Sequence, residues 1–270
     1  MDDAFAEVAT LRALFMRAVR ASFSYKPALL MSMLSAGFAY AIPMLVWSHI
    51  YGASQLKPAL PAEALFPYLL IACCLNFTFA MNVESRIGQR IRMGLIAIDL
   101  LRPVDFQLAQ LAQALSDGLF NIVLVLPIYL ATLLFWGGHA LPHGAAALAA
   151  FFVSVLLSFV ILFAVSYIFV QVSFVTYSGY GVFVARNALQ QTFSGLSAPL
   201  ILFPARLRAV AEWLPFRHTI HTPVSIYLGW LSGREVWRAL AAQVAWAILL
   251  LALGRFLLGR ALRRFEIQGG

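Results

Sequence analysis

Apolar residues in this chain are gathered into long blocks, separated by short stretches that hold most of the charge. The blocks cover residues 28–51, 65–83, 119–136, 145–172, 188–203 and 236–258. A hydrocarbon core of about 30 Å needs about 20 apolar residues in helical form, so the pattern predicts six transmembrane helices. The fifth block is the weakest, because Gln190, Gln191, Ser194 and Ser197 dilute it. Pro43 and Pro127 lie inside spans, where neighbouring groups can satisfy the carbonyls that a proline frees. Ahead of the first block, residues 4–23 place Val8, Leu11, Phe15, Val19 and Ser22 at three- and four-residue spacing, with Glu7, Arg17 and Arg20 elsewhere on the wheel. That periodicity predicts an amphipathic helix lying on a membrane surface; a solvated helix is the plainer alternative. The fold class expected is an all-α membrane protein forming a single transmembrane domain over 1–270.

Composition agrees. The chain is 62% hydrophobic and 11% charged, with a mean hydropathy of +0.86, whereas soluble domains carry about 25% charged residues. The formal charge of +8 therefore reads as the Lys/Arg bias of cytoplasmic loops and not as a nucleic-acid footprint. With six spans both termini share a side. That side holds Arg12, Arg17, Arg20, Lys26, Arg86, Arg90, Arg92, Arg102, Arg186, Arg255, Arg260, Arg263 and Arg264. The other holds Lys57, Arg206, Arg208, Arg217, Arg234 and Arg238. The bias places both termini in the cytoplasm. The beginning of the chain is acidic and has no unbroken apolar core before Arg12 and Arg17, so it does not read as a secretion signal.

Several chemistries lack their residues. No acidic side chain falls mid-span, where an ion-coupled carrier needs one; Glu84 and Asp117 are expected at the cytoplasmic ends of spans two and three. A phosphate-binding loop needs Gly-Lys, but Lys26 follows Tyr25 and Lys57 follows Leu56. His139 and His143 have metal-ligand spacing without an acidic partner, and His218 and His221 near Glu212 come with no nucleophile motif. Cys73 and Cys74 are adjacent inside a span and read as packing residues. Neither a resident metal nor a catalytic residue is expected.

One charged stretch interrupts the apolar blocks: ESRIGQRIRMGLIAIDLLRPVD, residues 84–105. Ile87, Ile91, Leu95 and Ile98 form a helical stripe bordered by Arg86, Arg90 and Arg92. Gly88 and Gly94 loosen it, and Pro103 ends it. An amphipathic helix with a proline turn suits insertion into a groove on another protein; arginines touching lipid headgroups are the alternative.

At this point the chain resembles type-2 ATP-binding-cassette exporter permeases, in the short six-span bacterial branch usually encoded with an ATPase and often with a second permease. The residues that carry the likeness are LLRPVD at 100–105 and GLSAPLILFPARLRAVAEWLPFRHTIHTPVSIYLGW at 195–230. The resemblance implies an interface helix at 4–23 and a coupling helix at 86–98. It also implies ATPase docking through Glu84, Arg86, Arg90, Arg92 and Arg102. Short re-entrant helices on the external side would occupy 199–230, with Pro199, Pro204, Arg206, Pro215 and Phe216 at an external gate. Spans one and five would line a seam between two permease subunits, with Asn187, Gln190, Gln191, Ser194 and Ser197 facing the path or the partner unless they are satisfied within the subunit. Implied partners are two ATPase subunits carrying ATP and Mg, a second permease copy or sister permease, and membrane lipids. This chain itself would carry no cofactor. The implied location is the bacterial inner membrane, and the implied cargo is a lipid-like, natural-product or glycan-type molecule. Arg206, Arg208 and Arg217 would attract anionic headgroups or an anionic substrate. A secondary carrier and a membrane scaffold or sensor remain as other readings.

Overall fold

The computed structural model describes residues 26–53, 60–101, 104–136, 141–173 and 179–262, together with Thr10, Ala13 and Met16. The expected interface helix at 4–23 and Arg102 lie outside the described residues, apart from those three helical positions. Among the described residues the structure is helical without strands. Its elements are α1 (Lys26–Ala53), α2 (Ala62–Thr78), α3 (Val83–Arg92), α4 (Ile96–Leu100), α5 (Phe106–Trp136), α6 (Ala145–Val170) and α7 (Gly179–Phe193). They are followed by α8 (Ala205–Trp213), α9 (His221–Tyr227) and α10 (Arg234–Leu262), with single 3₁₀ turns at Leu200–Leu202 and Pro215–His218. Four stretches of the described residues are long and apolar enough to cross a membrane: Ala62–Arg92, Phe106–Ala131, Ala145–Val170 and Arg234–Leu262.

Three of the expected spans differ in detail. Span two is two helices, because the backbone leaves helical geometry at residues 79–82. The Asn121 side-chain amide on α5 donates to the Ala80 carbonyl at 3.1 Å, so the break leaves that carbonyl satisfied. Span three begins much earlier than its apolar block. Asp105 Oδ1 accepts from the Leu108 N–H at 2.9 Å, an N-cap that starts α5 at Phe106 despite the glutamines that follow. Where a fifth span was expected at 188–203, the helix runs over Gly179–Phe193, and its 15 residues are not among the four stretches long enough to cross. It stops where Gly195 takes φ +82°, a left-handed conformation that ends helices and favours glycine.

Side-chain bridges fix the helix directions. On α10, Gln243 meets Ser154 of α6, each nine residues into its helix, and Gly254 approaches Tyr167 further along both. These two helices therefore run parallel, with an extensive apolar seam between them. Gln107 at the start of α5 donates to the Leu251 carbonyl late in α10, so α5 runs the opposite way. Cys73 on α2 contacts the Ala39 carbonyl on α1 and Tyr51 donates to the Leu60 carbonyl, which makes α1 and α2 antiparallel. One end of the bundle carries residues 92–101 and 104–105, the hairpin end. The opposite end carries the starts of α2, α6 and α10, the cap end.

The polar clasp at Gln243 shows how an apolar bundle holds a specific arrangement. Gln243 is fully buried. Its Oε1 accepts from Ser154 Oγ at 2.9 Å. Its Nε2 donates to Ser158 Oγ at 3.0 Å and to the His218 carbonyl at 2.8 Å. One side chain thus joins α6, α10 and the 215–218 turn. Gln243→Leu removes that link and strands the Ser154 hydroxyl, at about 1–3 kcal/mol for each unsatisfied buried group. A clear fall in the unfolding temperature of the purified protein is the expected result; an unchanged temperature would show that the clasp contributes nothing.

Candidate functional site: a charged hairpin beneath an apolar cavity

The hairpin end is built from α3, the turn after it, and α4. Helix α3 buries Val83, Glu84, Ile87, Gly88 and Ile91, one face at helical spacing, against α6 and α7. The expected continuous helix over 86–98 is broken. Gly94 has φ +70°, and the chain turns there before α4. Sequence periodicity carried the apolar stripe straight through this point. In the structure Ile87 and Ile91 face the bundle, while Met93, Ile98 and Leu101 are turned outward, 59%, 56% and 84% exposed. Across the break Arg90 grips Asp99 with two hydrogen bonds, one from Nη2 to Oδ1 at 2.7 Å. Such a bidentate pair fixes geometry as well as charge. Arg255 of α10 pairs with Asp105 just beyond.

The five expected docking residues fall in different environments. Glu84 has no exposed surface, so the expectation that it docks a partner is corrected. It accepts from Arg186 Nε of α7 at 2.7 Å, and Arg186 is itself buried. Its position three and four residues before Ile87 and Gly88 places it on the buried face, a signal that was present in the spacing. Arg86 donates to Asp117 on α5 at 2.9 Å and is partly buried. Arg90 is committed to Asp99. Arg92 is exposed, and Arg102 lies outside the described residues.

Above the hairpin end, α1, α2, α5 and the turn after α7 line a half-open cavity of about 410 Å³. Tyr40 and Trp47 line it from α1, Cys73 and Asn76 from α2, and Gln191 and Ser197 from α7 and the turn after it. Its lining includes no charged side chain. Trp47 Nε1 donates to the Ser197 carbonyl at 3.1 Å, which ties α1 to the end of α7. The residues expected along a path divide here. Gln191 and Ser197 reach the cavity. Gln190 is buried and donates to Thr219 Oγ1 at 2.8 Å, Ser194 is buried with its carbonyl accepting from the His221 N–H at 3.0 Å, and Asn187 is half-buried.

The cap end is built from residues 195–230, of which Leu196 and Ser197 line the cavity. Tyr68, fully buried on α2, donates to the Gly195 carbonyl at 2.8 Å and lies 3.1 Å from His221 Nδ1. Its ring stacks on Trp230 at 5.3 Å. Tyr129 and Tyr227 share a hydroxyl contact at 2.5 Å. Among the expected gate residues Pro199, Pro215 and Phe216 are buried, whereas Pro204 and Arg206 are exposed. Desolvation, then the neighbouring Arg217, pushes the pKa of His218 down to about 4. Desolvation, Arg217 and His218 push His221 down to about 3. Both rings are neutral at ordinary pH and act as hydrogen-bonding groups. The described residues contain no cluster of three or more potential metal ligands.

The bundle combines a largely apolar cavity with a charged hairpin at one end and a cap of short helices at the other, and sequence comparison supplies the family. Residues 62–269 match the family described as ABC-2 family transporter protein. The chain belongs to the ABC-2 transporter family. It is an ABC-2 type permease, a multi-pass membrane component of an ABC transporter. The match takes in the hairpin, α2 to α10 and the cap. No curated protein matches the chain. Permeases of this family are transport components that generally work with ATPase partners and usually contain no ATPase of their own.

Proposed function

We propose that this permease is the transmembrane half of an ATP-driven exporter, with the 83–101 hairpin as its docking element for a cytoplasmic ATPase. The observation that carries the reading is the exposed apolar surface of Met93, Ile98 and Leu101 beside Arg92, on a turn stiffened by the Arg90–Asp99 pair. Apolar groups held on a rigid, charged turn suit a groove on a partner protein. Two ATPase subunits, with ATP and Mg in them, would close on ATP binding, and a second permease copy or a sister permease would complete the assembly. The hairpin is wired to the bundle by Glu84–Arg186 and Arg86–Asp117, so a push on it reaches α7 and α5 directly. ATP shifts such an equilibrium only through its different affinities for the two states.

The bacterial inner membrane with both termini cytoplasmic fits the Lys/Arg distribution. The cavity between α1, α2 and the end of α7 would receive a lipid-like, natural-product or glycan-type molecule, its uncharged lining favouring the apolar part. Release would pass the 199–230 cap.

The test uses exposed positions only. Arg92→Glu combined with Leu101→Ser alters the docking surface without touching an ion pair. Loss of ATP-driven transport, with the fold and the cavity intact, is the expected outcome; transport at the unaltered rate would remove the hairpin's docking role. Arg90→Glu is unsuitable as a test, because it places a second carboxylate against Asp99 and opens the turn itself.

A further inference from the structure

The 215–218 turn sits below the rim of the cap end. Trp237, 74% exposed near the start of α10, is a side chain of the kind that gathers at a membrane interface. Gln243, which binds the His218 carbonyl, is six residues further along α10, about 9 Å deeper at 1.5 Å per residue. Phe216 of the same turn packs in one cluster with Ala247 and Leu250. Arg217 stands between Phe216 and His218. It is half-buried, and its Nε is buried without a hydrogen-bond partner. The acid that acts on it, Glu212, is half-exposed on α8 and lies 4.0 Å from Arg208. Helix α8 packs on this turn and adds the exposed Arg206 and the partly exposed Arg208. Around these cations are outward apolar groups: Ile201 and Val210, each 51% exposed, and Trp213 at 84%.

A guanidinium at this depth is costly when the acid acting on it is half-exposed and shared with Arg208, and cations within a membrane domain mark ligand routes. Three like charges on one short stretch also repel. A single anion relieves both, and the planar guanidinium matches phosphate in a bidentate fork. The apolar fringe suits an acyl chain attached to that phosphate. We infer that Arg217, with Arg206 and Arg208, binds the phosphate headgroup of an anionic lipid-like molecule. On the exporter reading, on which this last step rests, the cargo is then an anionic amphiphile with its chain toward the apolar surfaces and its headgroup at the cap.

Trp213 reports on the site. The full-length protein is placed in phosphatidylcholine nanodiscs, and the Trp213 signal is taken as the difference between the unaltered chain and W213F. Brominated phosphatidylglycerol should quench that signal at a several-fold lower mole fraction than brominated phosphatidylcholine. The preference should disappear in R217Q and in R206Q/R208Q; should R217Q not fold, the second variant decides alone. Equal quenching by the two lipids, or a preference that survives R206Q/R208Q, overturns the site. Inorganic phosphate should leave the preference unchanged when it replaces chloride at equal ionic strength. Displacement by it would assign the site to a free anion and overturn the lipid headgroup. The assay contains no ATP and no ATPase, so its failure leaves the exporter reading standing, and failure of the exporter reading leaves the binding result intact.

Discussion

Arg186→Met should destabilise the protein by about 3–5 kcal/mol, the usual cost of stranding one partner of a buried ion pair. Glu84 has no exposed surface and Arg186 almost none, so the carboxylate left behind has neither water nor a countercharge. Glu84 Oε2 already lacks a partner, which leaves the Arg186 contact as its main compensation. Glu84→Leu should cost a similar amount for the mirror reason. The double variant Glu84→Leu/Arg186→Met should recover most of the loss, because replacing a buried pair by apolar groups of similar size is close to neutral. Thermal unfolding of the four proteins in detergent gives the cycle directly. Additive losses would show that the pair is not an energetic unit. Transport by the stable double variant then tests a separate point. If Glu84–Arg186 links the docking hairpin to α7, the double variant folds but exports poorly, and full export would deny the pair any coupling role.

The second large effect belongs to Gly195→Ala. Gly195 has φ +82°, and a Cβ there would stand 2.6 Å from the Tyr68 hydroxyl and 3.1 Å from His221 Cβ. The backbone strain alone is worth about 1–3 kcal/mol. Displacing a fully buried tyrosine from its hydrogen bonds adds about 1–3 kcal/mol. Tyr68→Phe removes the atom in the way, so Gly195→Ala/Tyr68→Phe should lose less than the sum of the two single changes and still retain the strain. A strictly additive pair would place the clash elsewhere. The position matters for transport as well, because Leu196 and Ser197 line the cavity immediately after it, and a shifted turn changes the cavity's edge.

What could be read from the residues follows the range of the forces involved. Long apolar blocks are a local, summed signal, and α6 and α10 appear within a few residues of their blocks. Helix α7 was displaced because hydropathy counts Arg186 against a span, and the partner that neutralises it lies 102 positions away. The same blindness hid the charge elsewhere in the chain that answers each of Glu84, Arg86 and Arg90. The break at 79–82 was hidden because Phe79, Ala80 and Met81 are as apolar as the helix before them, and the amide of Asn121 that supports it is distant in sequence. Gly94 was readable as a weak point, but its positive φ, which turns Ile98 and Leu101 outward, is a property of the fold. The cavity needed three dimensions altogether, although Gln191 and Ser197 were already marked by the weakness of the fifth apolar block.

The claim that the rest depends on is that the 83–101 hairpin docks an ATPase, and purification of the tagged permease from its own host in mild detergent tests it. A chain with a phosphate-binding loop should be retained in stoichiometric amount, and lost when Arg92→Glu/Leu101→Ser is purified in the same way. A permease that emerges alone, even after mild cross-linking, would contradict it.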